Sequence, residues 1–162
     1  RYMIKVNLIT LGKLKEKYLA DACAEYCKRL GAFCKINIVE LNPVKLSDNP
    51  SQAQIDAALE AEAKLITEKI PKGAACFAMC IEGKQYPSEK FSTLLETAGV
   101  EGGANVAFII GSSFGLSPTI KQMSKYKLSM SEMTFPHQLM RVILLEQIYR
   151  AFNISGGGKY HK

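Results

Sequence analysis

The chain has 162 residues, 48% of them hydrophobic, with 21 Lys and Arg against 15 Asp and Glu, a net charge of +6 and a pI near 9.0. That suits one domain over residues 1–162 with a sizeable core, and no apolar run reaches the roughly 18 residues that a membrane-spanning helix needs. The positive excess favours polyanions such as RNA, through phosphate contacts and counterion release, while the opening "RYMIKVNLIT" is too polar for a cleavable leader and leaves Met3 as the expected natural start.

Met3–Ile9 is apolar and β-branched and is expected to form a strand. "TLGKLKEKY" follows as a basic loop, and Glu16–Leu30 repeats its apolar residues at helical spacing, with Gly31 placed to stop the helix. Lys35–Leu41 alternates and predicts a second strand. Asn42–Pro50, with two prolines and Asn, Ser and Asp, predicts a loop. The Ala, Glu, Lys and Leu content of Ser51–Ile70 predicts a long helix capped by Ser51 and ended by Pro71 and Gly73. Ala75–Ile81 is apolar throughout, the mark of a strand covered on both faces. After a turn at "EGKQYP", Ser88–Ala98 predicts a helix, Asn105–Ile110 a second buried strand, Thr119 the neighbourhood of a short helix, Tyr126–Met130 the last strand and Pro136–Phe152 the closing helix. Strands alternating with helices imply an α/β fold, a mostly parallel sheet with helices on both faces. No repeat, low-complexity tract or domain linker interrupts it.

The five cysteines are Cys23, Cys27, Cys34, Cys76 and Cys80, an odd number without a CxxC. Cys23 and Cys27 share a helical stripe with Leu19, Tyr26 and Leu30, and Cys76 and Cys80 share a strand face. Buried free thiols are the expected reading. They imply a reducing compartment, hence cytoplasm. With only two histidines and this spacing, no metal site is expected.

In an open α/β sheet, ligands bind beyond the carboxyl ends of the strands, and the unusual residues fall there. Lys13, Lys15 and Lys17 follow the first strand and read either as a solvated helix start or as RNA contacts. Gly111 and Gly115 flank the loop after the fourth strand and read as turn glycines or as a ligand loop. Their spacing is neither the GxGxxG of dinucleotide sites nor a P-loop. In "TFPHQLMR", Pro136 suits the first turn of a helix, and His137 and Arg141 lie four apart on one face. Arg141 sits among so many apolar residues that the helix is expected to be buried on most sides, with a second copy of the chain as one candidate cover. A structural ion pair and a site residue are both open readings for it.

"GKLKEKY", "FIIGSSFGL", "SMSEMTFPHQLMRVILLEQIYRAF" and the terminal "YHK", in this order over nearly the whole chain, resemble the RlmH family of small knotted (SPOUT) methyltransferases. The resemblance implies an α/β sheet with a C-terminal trefoil knot, S-adenosyl-L-methionine as methyl donor and a homodimer. It implies a substrate too, ring nitrogen 3 of a pseudouridine in large-subunit (23S) ribosomal RNA, modified on the assembled ribosome. Carried over, the cofactor pocket uses Met79, Gly111, Gly115, Met130, Ser131, Glu132, Met133, Thr134 and Phe135. The family usually has Gly at 112 and a polar or acidic residue at 114. Here Ser112 keeps the turn if its φ is negative, and Phe114 offers a ring for base stacking.

The chemistry needs alignment on an already activated donor and removal of a ring N–H proton. The candidates are Tyr160, His161 and Lys162 beyond the Gly156–Gly158 hinge, closing across a dimer over the target, together with His137 and Arg141. Two other classes stay open: a non-catalytic RNA-binding α/β module, and a flavodoxin-type nucleotide binder, which the missing fingerprint and Pro118 disfavour.

Overall fold

The computed structural model describes residues 3–162; Arg1 and Tyr2, which precede the expected start, lie outside them. Five strands form one sheet in the order β2-β1-β4-β3-β5, and every pairing is parallel. β1 (Lys5–Leu11), buried from Val6 on with Asn7 and Thr10 as its polar members, lies inside the sheet with β3 (Ala75–Lys84) and β4 (Asn105–Ile110), which carry the continuous apolar runs Ala75–Ile81 and Val106–Ile110. β2 (Lys35–Leu41), which alternates, and β5 (Tyr126–Leu128) form the edges. A strand covered on both faces needs apolar residues at successive positions, whereas an edge strand with one wet face does not.

Side chains alternate across the sheet and build two cores. Val6, Leu8, Phe77 and Phe108 face α1 (Lys17–Leu30), α3 (Ser88–Glu101) and α5 (His137–Ser155). Ile9, Leu11, Ile109 and Cys76 face α2 (Gln52–Lys69) and α4 (Pro118–Met123). Phe77 stacks on its two register partners, Phe108 at 4.6 Å and Tyr126 at 4.5 Å between ring centres. α5 lies between α1 and α3 and buries Leu144, Leu145 and Ile148 completely. At about 1.5–3 kcal/mol for each such side chain, that stripe alone anchors the helix. Arg141 and Ala151 are buried on the same side and Asn153 near the C-terminal end, most of the remaining α5 residues are half-buried and Leu139 is exposed, so in one protomer its apolar surround is covered on one side only.

The helix caps follow the sequence closely. Ser51 and Gln54 form the reciprocal capping box of α2, and Ser117 accepts from the Ile120 N–H ahead of Pro118. Gly31 ends α1 in an ordinary right-handed conformation, so its left-handed freedom is not used.

Several boundaries differ from the sequence reading. β1 starts and ends two residues later, and β5 stops at Leu128. Pro136 caps α5 instead of opening it, and α3 and α5 each run three residues further than expected. The largest correction is at "EGKQYP". Glu82, Gly83 and Lys84 continue β3, and both Met79 and Lys84 pair with Leu128. Gly83 makes this doubling back possible: a Cβ there would meet the backbone of Lys127 and Leu128 at 2.7–2.8 Å.

All five cysteines are free, and burial pushes their thiols up, that of Cys23 to about 11. Among the described residues no helix is long and apolar enough to cross a membrane.

Candidate functional site

Because every strand runs the same way, the loops after β1, β2, β4 and β5 gather at one end of the sheet. Arg141 organises the first of them. It is 3% exposed, and its guanidinium donates to Glu40 Oε2 at 2.7 Å, Thr10 Oγ1 at 2.9 Å and the Gly12 carbonyl at 3.2 Å. Thr10 and Glu40 are register partners on β1 and β2, so one side chain of α5 ties both strand ends together. The Gly12 turn is held at φ +109°, a conformation that favours glycine. The Lys15 N–H donates to Gln138 Oε1 at 3.0 Å, which docks the basic loop on the start of α5. Of the two sequence readings of Arg141, the buried ion pair is the one with visible partners.

A cavity of about 470 Å³ opens beside this anchor. Lys13, Lys15 and His137 line it, with the 42–47 loop, Glu62 of α2 and the Ser112–Phe114 loop. Desolvation, then the charges of Arg141 and Lys15, hold His137 below the ordinary imidazole value, so its ring is neutral at pH 7. Glu62 is 4% exposed. Its carboxylate accepts from the Val44 N–H at 2.9 Å and, at a marginal 3.5 Å, from the Ser112 hydroxyl, fastening two loops to one helix. Burial raises its pKa. Lys17, by contrast, is exposed and paired with Asp21 at 2.7 Å, a solvated ion pair on α1.

The Gly111–Gly115 loop is closed on itself. The Gly115 N–H donates to the Ser112 carbonyl at 2.9 Å, and a Cβ on Gly111 would meet the Gly115 carbonyl oxygen at 2.2 Å. Ser112 has a negative φ, as the turn requires, while Gly115 sits at φ +86°. The demand for glycine at 111 is therefore set by the chain's own backbone. Phe114 is 46% exposed.

A second cavity, of about 280 Å³, lies between α3, α5 and the end of β5. Met130 and Phe135 line it, as do Tyr86, Phe91, Ser88 and Gln147, and among the described residues no charged side chain does. Met79 pairs with Leu128 at its edge. Ser131, Glu132, Met133 and Thr134 form the loop between Met130 and Phe135. Ser129 Oγ and Ser131 Oγ brace that loop from within, by bonds to the Ser131 carbonyl and the Met133 N–H. Aromatic and thioether walls with a few neutral polar tips fit a flat, uncharged heterocycle.

The C-terminal tail folds back along α3 and α5. Tyr160 donates to Glu146 Oε2 at 2.8 Å, packs edge-on to Tyr149 and lies under Arg150, and desolvation followed by Glu146 pushes its phenol up to about 12. His161 Nε2 is 2.6 Å from Glu89 Oε1, and its Nδ1 is 3.0 Å from Arg150. Glu89 and Glu146 are the chain neighbours of Ser88 and Gln147, so the tail rests beside the second cavity. Lys162 is exposed. His137 opens α5 and Arg150, which holds His161 Nδ1, lies 13 residues along it, about 20 Å away at about 1.5 Å per residue. Within one protomer the two histidines do not converge.

Sequence reading gave Asn42–Pro50 as a loop but not its place in the site, and it missed Glu62 and the Tyr86, Ser88, Phe91 and Gln147 walls. Glu62 left a signal, since it interrupts the buried stripe of Ala58 and Ile66 at four-residue spacing.

Residues 4–161 match the family described as "Predicted SPOUT methyltransferase". Ribosomal RNA large subunit methyltransferase H of Streptococcus thermophilus is 52% identical over 98% of this chain and all of its own length. The Leuconostoc mesenteroides protein of the same name is 50% identical over the same shares. A probable methyltransferase from Bordetella pertussis superposes with a TM-score of 0.55 at 12% identity, covering 93% of this chain and 96% of that one, a likeness of fold. The chain belongs to the SPOUT methyltransferase family, among its ribosomal RNA large subunit methyltransferase H members.

Proposed function

We propose that this protein methylates large-subunit ribosomal RNA, at ring nitrogen 3 of a pseudouridine in 23S RNA, on the assembled ribosome and as a homodimer, with S-adenosyl-L-methionine as donor. Full-length identity of about half to ribosomal RNA large subunit methyltransferase H proteins carries the reading. The uncharged second cavity supports the cofactor, since adenosine needs apolar walls and neutral hydrogen-bonding partners. Met130 and Phe135 would hold it, with Met79, Gly111, Gly115 and the Ser131–Thr134 loop around them. When bound, the donor supplies a methyl group already activated on a sulfonium. A trefoil-knotted C-terminus is part of the proposal. The placement of β5 outside β3, followed by the return of α5 between α1 and α3, supports it.

The chain's own residues then deal with the acceptor proton. Nitrogen 3 lies between two carbonyls and carries a proton at neutral pH, so the reaction needs a base and cations around the forming anion. A neutral His161 takes the nitrogen 3 proton on Nδ1 once that atom leaves Arg150, and Glu89, 2.6 Å from Nε2, stabilises the imidazolium so formed; the Tyr160 hydroxyl stays protonated and donates, and Lys162 brings a cation. His137 is the neutral imidazole at the other cavity. Arg141 acts by positioning the Gly12 loop. Lys13 and Lys15 meet phosphates. The test is nucleoside mass spectrometry after incubation with donor and undermodified ribosomes or free RNA. N3-methylpseudouridine formed on ribosomes supports the reading, and donor binding with no methylated base refutes it.

A further inference from the structure

The larger cavity is not needed to hold the donor, and its lining differs in kind. We infer that it is a pocket for one unstacked nucleotide of the RNA, built separately from the donor's cavity. This rests on the RNA methyltransferase reading above. At about 470 Å³ it falls in the range of small-molecule pockets. Val44, Leu46, Ile55 and Leu59 give it an aliphatic wall, and Phe114 gives it an aromatic ring that is almost half exposed. A large ring held at a cavity mouth by a closed glycine turn is a stacking platform, and every base has a face to stack on it.

Charge selects the ligand class. Lys13 and Lys15 line the cavity, and Lys45 stands between two of its wall residues. All three are exposed, and none has a carboxylate within 4 Å among the described residues, whereas Lys17, further along the same basic run, is paired. Unpaired lysines around an apolar slot suit a base flanked by phosphates. Among the described residues the one carboxylate lining the cavity is Glu62, already engaged by Val44 and Ser112. That bond fixes the wall to the platform's own loop, so the gap between Val44 and Phe114 is set before RNA arrives. The neutral cavity lacks these cations. The chain thus divides the work: one cavity for an uncharged heterocycle, the other for a polyanion's base.

The probe is uridine 5′-monophosphate, titrated into the methyl-labelled full-length protein saturated with S-adenosyl-L-methionine and followed by NMR. Saturable shifts at Val44, Leu46 and Leu59 are expected. Shifts confined to Met130, or none, overturn the pocket. In parallel, Phe114→Ala is assayed on ribosomes. The expected result is a KM for ribosomes raised about 5- to 100-fold with unchanged donor affinity. An unchanged KM overturns the pocket and leaves the methylation reading intact. A wild-type protein that methylates no ribosomal RNA sinks that reading instead, and the titration then decides the pocket alone.

Discussion

Arg141→Met tests whether the anchor under the basic loop has the weight its geometry implies. Removing one partner of a buried ion pair costs about 3–5 kcal/mol. The Glu40 side chain is 34% exposed and can rehydrate, which lowers its share. Thr10 Oγ1 and the Gly12 carbonyl each lose a charge-assisted donor in a buried setting, at about 1 kcal/mol or more apiece. The sum is about 3 kcal/mol, equivalent to a fall of about 6–12 °C in Tm for a chain of this size. Urea unfolding at pH 7 of Arg141→Met, Glu40→Gln and the double variant measures it, with a coupling of about 1–2 kcal/mol expected. RNA affinity should fall with stability, because Gly12 no longer fixes Lys13 and Lys15, while donor affinity should hold. A single-variant loss below about 1 kcal/mol, or costs that simply add, would refute the reasoning.

Gly111→Ala places a Cβ 2.2 Å from the Gly115 carbonyl oxygen, so the loop must open; a lower Tm and weaker donor binding by calorimetry are expected, and an unchanged melt contradicts the closed turn. Glu62→Gln removes a buried charge and keeps an acceptor for Val44. The folded pKa of Glu62 is raised above 4.5, so its contribution is present below pH 4.5 and lost as pH rises through the folded value. The variant should gain on the wild type from pH 4.5 to 7, and a constant difference across that window excludes the burial argument. His137 has the opposite sign: its folded pKa is depressed, so stability is lost as pH falls below 6.5. His137→Gln should flatten that slope by at most about 1.4 kcal/mol per pH unit; an unchanged slope assigns it to other groups.

The sheet was legible because β3 and β4 are apolar at successive positions, β1 is largely apolar and β2 alternates, with helical periods between them, the pattern of a parallel sheet packed between helices. Strand order and the extension of β3 were not, since they depend on what a chain segment meets: Gly83 looks like any turn glycine until β5 lies against it. "TFPHQLMR" marked Arg141 as odd but could not name Glu40, which is 101 residues away. The lysines read alike in sequence, yet Lys13 and Lys15 line a cavity and Lys17 pairs with Asp21 one turn along α1. The glycine loop suggested a ligand, and its tightest contact is with itself. Of the second cavity's lining, Met130 and Phe135 were named through the resemblance; Phe91 and Gln147 were not, because they come from helices that look like ordinary core, and Tyr86 looked like a turn residue.

Deleting Tyr160–Lys162 tests the central claim most directly. These residues hold no part of the sheet core, and their bonds to Glu146 and Glu89 lie at the surface of α5 and α3. With ribosomes as substrate, methylation should fall at least about 100-fold, the scale of a lost general base, while S-adenosyl-L-methionine binds with wild-type affinity. Undiminished turnover by the shortened chain would contradict the account.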